Sequence, residues 1–274
     1  MKNIFKAFLI IFVFLYALFL IGKGDKMLNK ENNNNNNNVI SYSNIPNYKE
    51  ENKNRYIKYG ENNEELSIEE VIKRVNINLD VNFYEDIENA INKNTNLVLV
   101  NKHYYLDKDY IPNNLELVDY KYTSGIKVYA QKEAKEKFEE MSTDASAVGL
   151  TIKTISAYRS YEYQKKLYEQ YLLNDPKEIV DTYSARKGHS EHQTGLSFDV
   201  YNVSKPYTSF GTTKEYEWIK INAHKYGFII RYTKDNEYIT GYKDEPWHLR
   251  YVGVNPATYI YENNITLEEY LLNK

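Results

Sequence analysis

Five histidines occur among the 274 residues, at His103, His189, His192, His224 and His248, and two of them stand in company able to do chemistry. The segment Gly188-His-Ser-Glu-His-Gln-Thr-Gly-Leu-Ser-Phe-Asp199 puts His192 before a turn at Gly195 and then an aspartate inside an apolar stretch. A carboxylate between Phe198 and Val200 is expensive to bury unless something neutralises it. A metal shared with His192 across the turn would do so. Glu245-Pro-Trp-His248 adds a second histidine. With His192, Asp199 and His248 as ligands, a tetrahedral zinc keeps one position open for water, and zinc can lower the pKa of such a water to about 7. Pro246 favours an extended Glu245, so that its carboxylate can address the water rather than the metal and serve as general base. Singly, each ligand is equally well explained as a structural residue. Together, with Glu245 beside the last, they point to a hydrolytic metal centre. His103 and His224 read as ordinary polar residues, and His189 as a residue that orients the loop or hydrogen-bonds the site.

Composition narrows the chemistry further. There is no cysteine, which excludes disulfides, thiolate metal sites and a cysteine nucleophile. Any metal must then be held by His, Asp or Glu. The net charge of -3 offers no basic footprint for nucleic acid, and 42% hydrophobic residues are enough for a substantial core.

These side chains need elements to hold them. Ser67-x-x-Glu70 is a capping box opening a helical region in two pieces up to Asn92. Leu97–Val100 reads as a strand. Ala134, Phe138, Met141, Ala145 and Val148 recur at helical spacing, and Gly149 stops the pattern. Leu150–Ala157 reads as a strand, and Ser160 caps a helix running to about Leu173. Thr212-x-x-Glu215 opens another helix, ended by Gly227, and Phe228–Tyr232, Tyr238–Thr240 and His248–Val252 are strands by composition. Helices early and short strands late predict an α+β domain, with helices packed on a small antiparallel sheet that carries a single zinc site.

The chain opens with an apolar run from Ala7 to Ile21 flanked by Lys2, Lys6 and Lys23. Residues 1–22 are expected to be an uncleaved signal-anchor, with a cleaved signal peptide as the alternative. Either places the rest outside the cytoplasm, at the cell membrane as a single-pass protein or secreted. Residues 23–60, with an Asn tract at 32–38, read as a disordered tether; 61–96 as a helical extension; and 97–274 as the catalytic domain.

The segments Ser156-Ala-Tyr-Arg-Ser-Tyr-Glu-Tyr-Gln164, Ser184-Ala-Arg-Lys-Gly-His-Ser-Glu-His-Gln-Thr-Gly-Leu-Ser-Phe-Asp199 and Glu245-Pro-Trp-His-Leu-Arg-Tyr-Val-Gly253 resemble the VanY-type D-alanyl-D-alanine carboxypeptidases, zinc peptidases of the D,D-carboxypeptidase/Hedgehog-like fold. The likeness runs from about Leu97 to Tyr261, and more weakly back to Ser67. It implies zinc on His192, Asp199 and His248, Glu245 as catalytic base and Arg159 as oxyanion stabiliser. It also implies that Gln164 and Ser190 bind the substrate at its terminal carboxylate, while Trp247 reads equally as a pocket wall or a core aromatic. Lys187 departs from the proline common at that position. The implied reaction is removal of the terminal D-Ala from peptidoglycan stem peptides or precursors by a monomeric catalytic domain. The alternatives are an L,D-carboxypeptidase acting on tetrapeptide stems, or a non-catalytic module that binds or senses muropeptides.

Overall fold

The central sheet shows a different chemical face on each side, and its sequence period of two is the reason. The computed structural model describes residues 45–274. Two small pairs come first: β1 (Glu88–Asn89) with β2 (Tyr104–Tyr105), parallel, and β3 (Leu115–Leu117) with β4 (Tyr129–Gln131), antiparallel. The main sheet is antiparallel and contains β5 (Lys153–Ser156), β6 (Ser197–Tyr201), β7 (Phe228–Ile230) and β8 (His248–Tyr251), in the order β5-β6-β8-β7. Around these strands lie α1 (Lys53–Asn62), α2 (Ile68–Asn76), α3 (Lys132–Ala147), α4 (Tyr161–Tyr171), α5 (Lys177–Val180), α6 (Lys214–Asn222), α7 (Glu237–Thr240), α8 (Val254–Asn263) and α9 (Leu267–Leu272).

Phe198 and Val200 of β6, Leu249 and Tyr251 of β8 and Phe228 of β7 belong to one buried cluster with Ala134, Phe138, Met141 and Ala145 of α3. Phe138 stacks on Phe198 with ring centroids 4.7 Å apart. Each such fully buried side chain contributes about 1.5–3 kcal/mol. The intervening residues Ser197, Asp199, His248 and Arg250 are buried too, but polar. The sheet thus turns grease toward α3 and titratable groups away from it.

Local chemistry sets the boundaries as expected in several places. Ser160 caps α4 by accepting the Tyr163 N–H at 3.2 Å, and Gly149, at φ 80°, follows the end of α3. Thr213, one residue later than expected, caps α6. Other expectations need correction. Tyr238–Thr240 is a helical turn, not a strand: its β-branched and aromatic residues favour a strand, but Gly241 at φ 72° closes the turn by donating to Glu237 O. Leu97–Val100 makes only an isolated bridge, Ile91 to Leu99, although Val98, Leu99 and Val100 are buried. Ser67 caps α2, but the expected second helical piece is a run of turns, with Asn78, Tyr84, Asp86 and Asn92 at positive φ. The tether expected to reach residue 60 ends sooner, because α1 packs against α2: Tyr56 is buried and its hydroxyl donates to Asn76 Oδ1 at 2.7 Å.

The expected anchor and most of the tether lie outside the described residues. Among the described residues no helix is long and apolar enough to cross a membrane.

Candidate metal centre and substrate cleft

Strand register brings the first two ligands together. Asp199 on β6 lies directly opposite His248 on β8 and opposite Ser156 on β5. His192 arrives from a 3-10 turn, Glu191–Thr194, capped by Ser190 and closed by Gly195 at φ 69°. Gly195 is required twice over: its backbone is left-handed, and an added Cβ would lie 2.9 Å from Leu115 Cδ2. The left-handed conformation alone costs a non-glycine residue roughly 1–2 kcal/mol. Gly195→Ala is therefore expected to lower the denaturant midpoint by at least that equivalent; an unchanged midpoint would show that the turn relaxes freely.

His192, Asp199 and His248 each offer a ligand atom, all within 4.8 Å of one another, and all three residues are buried. The orientation of both imidazoles follows from the partner of the other ring nitrogen. His192 Nδ1 lies 2.6 Å from Ala157 O, which can only accept, so Nε2 carries the lone pair and faces Asp199 at 3.3 Å. His248 Nε2 lies 3.3 Å from Glu191 Oε2, which leaves Nδ1 facing Asp199 Oδ1 at 3.2 Å. Two imidazole lone pairs and a carboxylate on one point are a donor set that fits zinc.

The charges support this arrangement. Burial and the nearby Arg159 lower His192 to about 4, so it is neutral, as a ligand must be. Burial alone would raise Asp199, but the Arg159 guanidinium and the bond from His248 outweigh it and hold the carboxyl well below its usual range. His248 is raised to about 9 against the effect of burial by its bonds to Asp199 and Glu191. Without metal His248 therefore holds a proton at neutral pH, and a cation favoured by the same two carboxylates would displace it from Nδ1. Burial pushes Glu245 up to about 7, and its Oε2 stands 3.9 Å from His248 Nδ1. Arg159 is pinned from two sides: Nε donates to Ser156 Oγ at 2.8 Å, and the guanidinium pairs with Asp199.

A cleft of about 380 Å³ opens over these groups, lined by all three candidate ligands and by Arg159, Gln164, Ser190, Glu245 and Trp247. The residues expected to bind metal, substrate or proton therefore meet in one place, whereas His189 lies behind them, bonded to Asn101 O at 2.8 Å. Trp247 is only partly buried, edge-on to Tyr207 at 5.3 Å, which makes it wall as well as packing. His103 and His224 stay apart from it; His224 stacks on Tyr261 at 4.1 Å.

Sequence reading passed over what stands behind His248. Glu191 Oε1 accepts from Arg231 Nε at 2.7 Å and Arg250 Nη1 at 2.9 Å, and Arg231 in turn forks onto Glu268 of α9 at 2.6 and 3.0 Å. The side chains of Glu191, Arg231 and Arg250 have 0% exposure and Glu268 has 2%, so two arginines and two glutamates balance in the dark. The arginines hold Glu191 well below the usual carboxylate range despite its burial.

Residues 127–254 match the family model for VanY, D-alanyl-D-alanine carboxypeptidase. The YodJ protein of Bacillus subtilis strain 168, a carboxypeptidase by name, is 39% identical over 197 residues, 70% of this chain and 72% of that one. The chain belongs to the VanY family. Among solved structures, the LdcB LD-carboxypeptidase superposes with a TM-score of 0.64 at 39% identity, over 68% of this chain and 90% of the other. A variant of the vancomycin-resistance D,D-pentapeptidase VanY, solved with Zn(II), gives a TM-score of 0.55 at 32% identity, over 64% and 98%. The VanY match contains every lining residue named above, whereas α1, α2 and α9, with Glu268, lie outside it.

Proposed function

We propose that this VanY-family chain is a zinc carboxypeptidase that removes the C-terminal D-Ala from peptidoglycan stem peptides. The observation that carries this reading is the convergence of His192 Nε2, the Asp199 carboxylate and His248 Nδ1 in one cleft with Glu245 and Arg159. Zinc bound there would polarise the scissile carbonyl and acidify a water. The chain's own residues do the rest. Glu245, with a pKa near neutrality, can take the proton of the attacking water and return it to the leaving amine. Arg159, locked by Ser156 and Asp199, presents a fixed positive charge to the developing oxyanion. Gln164 Nε2 is committed to Ala185 O at 2.8 Å, and its buried Oε1 has no partner among the described residues, which suits it to accept a substrate N–H rather than to hold a carboxylate. The Ser190 hydroxyl keeps its proton free to donate to the terminal carboxylate, since its oxygen accepts the His192 N–H at 3.4 Å.

The residue before the terminal D-Ala decides between two specificities. The stronger likeness to LdcB, in both identity and superposition, favours L,D-cleavage of tetrapeptide stems. The family name and the D,D-pentapeptidase neighbour support D,D-cleavage of pentapeptide stems as the second reading. Mass spectrometry of the zinc-loaded full-length protein, incubated with each stem separately, decides the matter. Loss of one D-Ala from the tetrapeptide alone establishes the first, loss from the pentapeptide alone the second, and a loaded protein inert on both removes the carboxypeptidase reading. The apolar run from Ala7 to Ile21 would hold the cleft at the outer membrane surface, within reach of wall and precursor peptides.

The pH profile has a determined sign. The base works ionised, its pKa stands at about 7 instead of 4.5, and a cation beside it favours ionisation. The acidic limb of kcat/KM is thus expected below about pH 7, with a slope near tenfold per unit. A limb centred above 7 would exclude Glu245 as the group responsible.

A further inference from the structure

The polypeptide from Ser184 to Ser190 is a wall with an opening on either side. Ser184, Ala185 and Ser190 line the catalytic cleft, while Arg186, Lys187 and His189 line a second one of about 410 Å³, faced by Tyr84, Tyr105 and Tyr161. That volume is in the range that holds a sugar ring or a short peptide.

The second cleft has the makings of a binding site. His189 is 6% exposed, and its Nδ1 lies 2.8 Å from Asn101 O, so Nδ1 bears the proton. Its Nε2 is left as an acceptor, and the ring's hydrogen bond among the described residues is made through Nδ1 alone. Tyr84 stands edge-on to the His189 ring at 5.0 Å. Arg186 is already spent: it pairs with Asp181 at 2.7 Å and lies over the Tyr84 ring at 3.8 Å. Asp107 is likewise engaged by Lys93 at 3.4 Å. Lys108 and Lys187, both exposed, have no ion-pair partner among the described residues, so the lining carries two free positive charges beside phenol rings.

The wall is stiff and connects the two openings. Gly188, at φ 83°, accepts the Leu106 N–H at 2.8 Å, and a Cβ there would lie 2.8 Å from Leu106 O. Tyr84 holds a left-handed φ of 66°, rare for a bulky residue and retained only where packing enforces it. Its hydroxyl meets that of Tyr242, a residue of the catalytic cleft, at 3.2 Å.

We propose that this second cleft binds a carboxylate-bearing glycopeptide segment of the wall strand, with the acidic group between Lys108 and Lys187, a ring or peptide face on the tyrosines, and a hydroxyl or amide donating to His189 Nε2. The choice of ligand rests on the wall-substrate reading above. A strand held on one side of the wall would present its stem terminus to the other side.

The test is co-sedimentation of the full-length protein, in chelator to prevent cleavage, with sacculi stripped of phosphate polymers. The parent is expected to sediment, and K108E/K187E, which alters only exposed side chains, to bind about tenfold more weakly while cleaving a short acetylated stem peptide within twofold of the parent. Equal retention of both proteins overturns the proposal, as does binding only to unstripped sacculi, which would assign the cleft to a phosphate polymer. A parent that binds stripped sacculi through these lysines yet cleaves no stem peptide would remove the catalytic reading and leave this one standing.

Discussion

Glu245→Gln is expected to lower kcat by about three orders of magnitude while zinc remains bound in full stoichiometry. Glutamine keeps the volume and polarity of the side chain but can neither take a proton from water nor return one to an amine. The stability of the metal-free protein should move in the opposite direction. A carboxyl whose folded pKa is raised, here to about 7 from 4.5, binds its proton more tightly in the folded state. Stability is then lost as pH climbs from the unfolded value through the folded one, by about 3 kcal/mol when complete. At pH 8 in chelator, Glu245→Gln should therefore melt higher than the parent, and near pH 4 the two should coincide. A variant both inactive and less stable at pH 8 would mean that Glu245 is a structural residue.

Glu191→Gln should produce the largest loss of stability. It leaves Arg231 and Arg250 facing each other in a site with 0% exposure, with Glu268 as the one remaining ion-pair partner among the described residues. Breaking a buried ion pair by removing one partner costs about 3–5 kcal/mol. The damage should also reach the metal, because Glu191 fixes which nitrogen of His248 faces Asp199. Loss of such an outer partner typically weakens metal binding about 10–100-fold. Denaturant unfolding measures the first effect and competition against a chromophoric chelator the second. Undiminished zinc affinity in a folded variant would detach Glu191 from the metal centre.

The candidate ligands and Glu245 could be picked out from the sequence because chemistry and spacing coincide locally. An aspartate between Phe198 and Val200 needs a partner, and Glu245 stands three residues from His248, so short stretches of sequence sufficed. The supporting network was not legible, because Glu191, Arg231, Arg250 and Glu268 come from a turn, the end of β7, β8 and α9, and only the fold makes them neighbours. Arg250 alternates with His248 on the polar face of β8, a pattern visible in the sequence but open to a solvent-facing reading. Tyr238–Thr240 failed for a different reason. Side-chain preference for strands is weak, and one left-handed glycine at its end was enough to reverse it.

The position of Glu268 also ties α9 to the candidate metal centre. The carboxylate that forks onto Arg231 belongs to the last helix described, whereas His192, Asp199 and His248 come from the turn and strands before it. Without that fork Arg231 would keep Glu191 as its charged partner, the same carboxylate that orients the His248 ring. A helix that supplies none of the candidate ligands thus bears on them through two charged side chains, and removing it is expected to weaken zinc binding while leaving all three ligands in place.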